Sequence, residues 1–104
     1  REPDGLALSS RNIYLSAEER AQAPVLRRAL LVARAAYRRG VTDAQTLRKL
    51  VLQTIAGAPL ATVDYVEIAD VETLRAISIV DRRCVIALAV FFGQTRLIDN
   101  LRLS

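Results

Sequence analysis

Ser9, Ser10, Arg11 and Asn12 place two hydroxyls, a guanidinium and an amide in four consecutive residues. Hydroxyls and free backbone N–H groups donate to non-bridging phosphate oxygens, and a guanidinium offers a fixed two-pronged donor. The combination suits an anion rich in acceptor oxygens, with Arg1 as a second cation, although the same residue types also make idle surface loops. The other reactive side chains read as structural. Cys84 opens an apolar run and fits a small core residue better than a nucleophile. Asp4 suits a turn. Asp99 and Asn100 interrupt a strand, which favours structural hydrogen bonding or an inter-domain contact over catalysis. Tyr65 reads as strand surface, and Asp64, Glu67 and Asp70 lack the companions a metal site needs.

Composition narrows the chemistry further. At 104 residues, 52% hydrophobic and 25% charged, the chain is one globular domain, 1–104, and is not intrinsically disordered. With no His and one Cys, it has no Ser-His or Cys-His triad, no His-ligated zinc and no internal disulfide. The chain holds no Met and opens at Arg1 within a polar run, so a domain cut from a longer protein is expected. No segment reaches the roughly 18–20 apolar residues of a spanning helix, and a cytoplasmic location is the expectation. The net charge is +4, and every basic residue except Lys49 is Arg. Arg27, Arg34 and Arg38 share the outer side of one helix. A stand-alone module binding an acidic partner or RNA would use that face, but without interleaved aromatics a solvated face is the better reading.

The elements that must position these groups follow from periodicity and caps. Residues 1–15 have no sustained period and read as a loop, with a turn at Pro3-Asp4-Gly5 and apolar anchors at Leu6, Leu8, Ile13 and Leu15. A helical hairpin is expected over 16–57. Ser16 and Glu19 form a capping box, and Pro24 forces a kink or a restart. Leu26, Leu30, Ala33 and Tyr37 share a face flanked by Val25, Ala29, Val32 and Ala36, and Gly40 ends the helix. A second capping box at Thr42-Asp43-Ala44-Gln45 opens a helix with Leu47, Leu50, Val51, Thr54 and Ile55 as its stripe, stopped by Gly57 and Pro59. An antiparallel sheet is expected over 63–103. It comprises a strand at Val63–Asp70, a connection with a short helical turn, a central strand at Cys84–Phe92, and a return strand after a Gly93-Gln94 type II′ turn. The expected core is Leu26, Leu30, Leu47, Val51, Ile68, Val85, Ile86 and Leu88. The fold class is α+β, a helical hairpin on about three antiparallel strands.

Arg-Glu-Pro-Asp-Gly-Leu-Ala-Leu-Ser-Ser-Arg-Asn-Ile-Tyr-Leu-Ser, residues 1–16, resembles the signature that opens the C-terminal domain of the pantoate–β-alanine ligase (pantothenate synthetase) family. The resemblance continues through Ala17–Arg20 and Ala23-Pro24, and returns at Val63–Ile68 and Thr95–Asn100. It implies an ATP-dependent condensation of pantoate with β-alanine through a pantoyl-adenylate. It also implies an N-terminal Rossmann-like nucleotidyltransferase domain bearing an H-x-G-H motif, over which this domain closes as a lid. Leu8-Ser9-Ser10-Arg11 then corresponds to the K-M-S-K-S loop of class I aminoacyl-tRNA synthetases. By that carry-over Ser9, Ser10 and Arg11 contact the ATP phosphates, Leu8 lies by the nucleotide, and Arg11 is the catalytic charge donor. Ala7 and Ser10 stand where that motif has lysines, which leaves most of the charge to Arg11. The resemblance further implies Mg²⁺ arriving with ATP and not ligated by this chain, a homodimeric full enzyme, and neither nucleic acid nor membrane as partner. The chain alone is expected to be inactive.

Overall fold

Pro24 decides how the first helical stretch is built. Its ring removes a backbone donor and crowds the preceding turn. Helix α1 (Ala17–Gln22) therefore stops before it and helix α2 (Val25–Arg38) restarts after it. The structure, a computed structural model, describes residues 1–103. Ser16 opens α1 with the expected reciprocal box: its hydroxyl accepts from the Glu19 N–H at 3.1 Å, and its own N–H donates to Glu19 Oε1 at 2.8 Å. At the end of α2, Gly40 adopts φ +105°. The Gly40 N–H then donates to the Tyr37 carbonyl and the Val41 N–H to the Ala36 carbonyl, the paired closure of a Schellman motif.

Helix α3 (Ala44–Ala56) is capped one residue later than the sequence suggests. Asp43, not Thr42, is the N-cap, and its Oδ2 accepts from both the Thr46 N–H (2.9 Å) and the Thr46 hydroxyl (2.7 Å). Thr42 is committed elsewhere, because its carbonyl accepts from the Val80 N–H while the Ala44 N–H donates to Ser78. A carboxylate is also the stronger acceptor for a helix start.

Strands β1 (Ala61–Asp70), β2 (Cys84–Phe92) and β3 (Thr95–Arg102) form an antiparallel sheet in the order β1-β2-β3. The β2–β3 turn has Gly93 at φ +61° and no positive φ at Gln94, as a type II′ turn requires. Helix α3 lies over β1 and α2 over β3, so the hairpin covers one face of the sheet. The fold is α+β, as expected. Leu26, Leu30, Leu47, Val51, Ile68, Ile86 and Leu88 are buried between the layers.

Several expectations need correction. Val85 is only half-buried: Cys84, Ile86, Leu88, Val90 and Phe92 take the helix side, and alternation turns Val85 to the other face. Val32 is exposed on α2. Leu8 and Ile13 are not anchors but are 72% and 80% exposed, leaving Leu6 buried and Leu15 packed at the core's edge. The opening loop contains a 3-10 turn at Ser10–Tyr14. The connection between β1 and β2 opens with a single turn closed by the Leu74 N–H on the Asp70 carbonyl at 2.8 Å, not continued as a helix, and is otherwise turns and two isolated bridges, Asp43 to Ile79 and Ala69 to Ala76. Asp99 and Asn100 do not break β3, because Asp99 sits in register opposite Leu88.

Candidate functional site

The Pro3-Asp4-Gly5 turn is held by its own side chains and by the helices. Asp4 Oδ1 accepts from the Leu6 N–H at 3.2 Å, the turn-forming bond expected of it, and Asp4 Oδ2 accepts from Arg20 at 2.8 Å. The hydrogen bond from Arg20, then that from the Leu6 amide, holds the Asp4 carboxyl below its ordinary value. Arg20 also reaches Glu2 at 3.4 Å. Gly5, at φ +93°, lies so close to the stem of Arg27 that a Cβ would stand 3.0 Å from Arg27 Cγ. Arg27 is therefore half-buried under the turn, and Arg34 is half-buried as well, so the Arg27/Arg34/Arg38 side is not a uniformly solvated face. Desolvation, followed by the charges of Arg1 and Arg34, pulls the Arg27 guanidinium below its ordinary value.

From this turn the chain crosses to the start of β3 and encloses a concavity of about 280 Å³. Leu8, Ser9, Arg11 and Asn12 line one side, and Arg96 and Ile98 line the other. Ser9 caps the 3-10 turn by accepting from the Arg11 N–H at 3.1 Å. That bond uses an oxygen lone pair and leaves the hydroxyl proton free to donate. Ser10 begins the turn and does not line the concavity. The Arg11 guanidinium is exposed and donates to the Arg96 carbonyl at 3.3 Å. Among the described residues it pairs with no carboxylate, whereas Arg1, Arg20 and Arg96 each do. Arg1 holds Asp99, Arg20 holds Asp4, and Arg96 holds Asp64 at 3.0 Å while standing 5.7 Å over the Tyr65 ring.

Arg1 is thus not a second free cation, which corrects the sequence reading. Its Nη1 and Nη2 donate to the two oxygens of Asp99 at 2.7 and 2.8 Å, and the pairing raises the Arg1 guanidinium above its ordinary value. Asp99 takes the structural role expected of it. Three features escape a reading of the sequence. Arg96 and Ile98 reach the site only through the return of β3. Asn12 ties the loop together by donating to Glu2 at 3.2 Å and to the Ala7 carbonyl at 3.0 Å, while its buried Oδ1 has no partner. Leu8, Ile13, Tyr14 and Ile98 stay exposed around Arg11. Cys84 is buried, its thiol pushed up by desolvation, and it lies outside this site.

The arrangement can donate to an anion at Arg11 and Ser9. The carboxylate that lines the concavity, Asp99, is already engaged by Arg1, and no group of three or more His, Cys, Asp or Glu among the described residues could hold a metal ion. No described helix is long and apolar enough to cross a membrane.

Known proteins of this shape and sequence are consistent. The family model described as pantoate-beta-alanine ligase matches residues 1–102. The pantothenate synthetase of Herpetosiphon aurantiacus is 58% identical over 102 residues, which are 97% of this chain and 37% of that protein. That of Acetivibrio thermocellus is 46% identical over 101 residues, 97% of this chain and 36% of that protein. A crystal structure of pantothenate synthetase from Thermus thermophilus superposes with a TM-score of 0.92 at 41% identity, covering 99% of this chain and 37% of the other. A pantoate-beta-alanine ligase from Francisella tularensis, complexed with beta-gamma ATP and beta-alanine, matches with a TM-score of 0.55 at 25% identity, covering 99% of this chain and 30% of that one. The chain therefore spans a little over a third of the length of its relatives, and over that third both its sequence and its fold make it a member of the pantoate-beta-alanine ligase family.

Proposed function

We propose that this chain is the C-terminal lid domain of a pantothenate synthetase, and that Leu8, Ser9, Ser10 and Arg11 meet ATP. The observation that carries the reading is the Arg11 guanidinium, without a carboxylate partner among the described residues and lining the concavity with Ser9, while Arg1, Arg20 and Arg96 are each held by a carboxylate. The exposed apolar side chains of Leu8, Ile13, Tyr14 and Ile98 around it give a face suited to closing over a substrate on another domain. In this reading the full enzyme is a cytoplasmic homodimer whose N-terminal Rossmann-like domain holds pantoate and β-alanine, and this chain alone forms no pantothenate.

The chemistry assigned to the chain is electrostatic. When the pantoate carboxylate attacks the α-phosphorus of ATP, negative charge grows on the phosphate oxygens and on the departing pyrophosphate. Arg11 donates to those oxygens and Ser9 orients them, with Ser10, which starts the adjoining turn outside the concavity, reaching the nucleotide only once the domains close, and without any covalent step on this domain. Mg²⁺ comes with the nucleotide as part of the substrate. The donors of this site face oxygens rather than a cation, so no residue of the chain is assigned to hold it.

In the full enzyme, Arg11→Ala is expected to slow adenylate formation on the order of 10²–10³-fold, the usual loss for a donor aimed at transition-state charge. Pantoate binding should change little. Arg34→Ala, on α2 and away from the concavity, is the control. Single-turnover pyrophosphate release isolates the step. If Arg11→Ala leaves it intact while Arg34→Ala abolishes it, the helix face is the working surface and the reading is wrong.

A further inference from the structure

Asp99 stands where the alternation of β3 calls for an apolar side chain: Leu97 and Leu103 on the same side are buried, and Asp99 itself is only 9% exposed. The Asp99 side chain is 7% exposed and that of Arg1 33%, and for a carboxylate desolvated to this degree much of the attraction to its partner is offset by the loss of water. What a two-pronged guanidinium–carboxylate pair adds is one fixed orientation. Here both prongs are made, and Arg1 Nη1 also donates to the Gly5 carbonyl at 2.8 Å. Asp99 Oδ1 accepts in addition from the Asn100 N–H at 2.8 Å.

The geometry ties the loop to one strand at two points. Arg1 is fixed to Asp99, and Arg11 touches the carbonyl of Arg96, three residues earlier on β3. Between these ties, Gly5 is pressed on Arg27 and Asn12 is bound to Glu2 and Ala7. The pair also cancels the charge of a carboxylate that lines the concavity, where it would repel an anion.

We infer that Asp99 is a positioning residue: through Arg1 it fixes the path of residues 1–12 and so sets where the Arg11 guanidinium stands. The inference rests on the lid reading, and its test separates the two. In the full enzyme, Asp99→Asn and Arg1→Lys are compared in the native and the Arg11→Ala backgrounds by single-turnover pyrophosphate release. Arg1→Lys is the second variant because it keeps the charge, loses the fork, and lies at a partly exposed side chain that folding tolerates. Each substitution is expected to slow adenylation about 10- to 100-fold, the cost of a misplacement near 1 Å, with the KM for pantoate unchanged. In the Arg11→Ala background neither should slow it further, because the group being positioned is gone. If the losses simply multiply with that of Arg11→Ala, or if the KM for pantoate rises in step, Asp99 is a stabilising residue only and the inference is overturned while the lid reading stands. If Arg11→Ala is itself silent, the lid reading fails and the inference falls with it.

Discussion

Replacing Gly93 by Ala should expose a link between the sheet's hairpin and the start of the first helix. Gly93 turns the chain from β2 to β3 at φ +61°, and a Cβ built there would stand 2.7 Å from Glu19 Oε2. Two costs follow. A left-handed conformation costs an L-residue about 1–2 kcal/mol. The Glu19 carboxylate end can swing Oε2 away, at the cost of weakening the bond that its Oε1 accepts from the Ser16 N–H, a loss of about 0.5–1.5 kcal/mol. The sum is roughly 1.5–3.5 kcal/mol, a large share of the stability of a domain this size. Urea denaturation of the chain measures it, provided the slope of the transition is unchanged. Repeating the substitution in a Glu19→Ala background separates the costs, because the clash is absent and only the backbone part of about 1–2 kcal/mol should remain. A loss below about 0.5 kcal/mol, the scatter of neutral surface changes, would refute the argument, as would identical losses in both backgrounds.

Leu30→Ala removes a fully buried side chain of α2 and should cost about 2–5 kcal/mol in thermal or urea melts; a near-neutral result would mean that α2 does not pack as described. The acid limb of stability should depend on Asp43, whose carboxyl is held below its ordinary 3.8 by the Thr46 hydroxyl and then the Thr46 amide. A folded-state value lowered in this way stabilises fully above the unfolded value and less as pH falls through the folded one. Asp43→Asn should therefore flatten the fall of the urea midpoint below about pH 4, and an unchanged slope there would contradict the cap.

What is legible in the sequence is local, and what is hidden is mostly paired at long range. The Ser16 capping box, the restart at Pro24 and the type II′ turn each depend on residues within a few positions, and each stands in the structure. The second cap falls one residue beyond its expected place because Thr42 is drawn into pairing with residues 78–80, far along the chain. Arg1 reads as a free cation in the sequence because its carboxylate partner lies 98 residues away. The run from Cys84 to Phe92 is apolar at every position, so alternation gives no sign that Val85 faces away from the helices. Leu8 and Ile13 read as anchors because an apolar residue in an aperiodic loop carries no mark of which side it faces.

The charge layout around the concavity limits what the chain can contribute. Carboxylates answer Arg1, Arg20 and Arg96, and each of those pairs ties the opening loop or a strand to its neighbour. Arg11 is left with a single backbone carbonyl at 3.3 Å, a contact weak enough to exchange for a better acceptor. The chain has no His, its one thiol is buried, and the nearby carboxylates of Asp4 and Asp99 are already engaged by guanidinium groups. In the proposed reading, donation to growing anionic charge falls to Arg11, and its usefulness depends on where the guanidinium is held. A site whose chemistry is pure positioning places its demands on the surrounding pairs. For that reason the Arg1–Asp99 pair, in which only the carboxylate is buried, is the sharper test of the proposed reading.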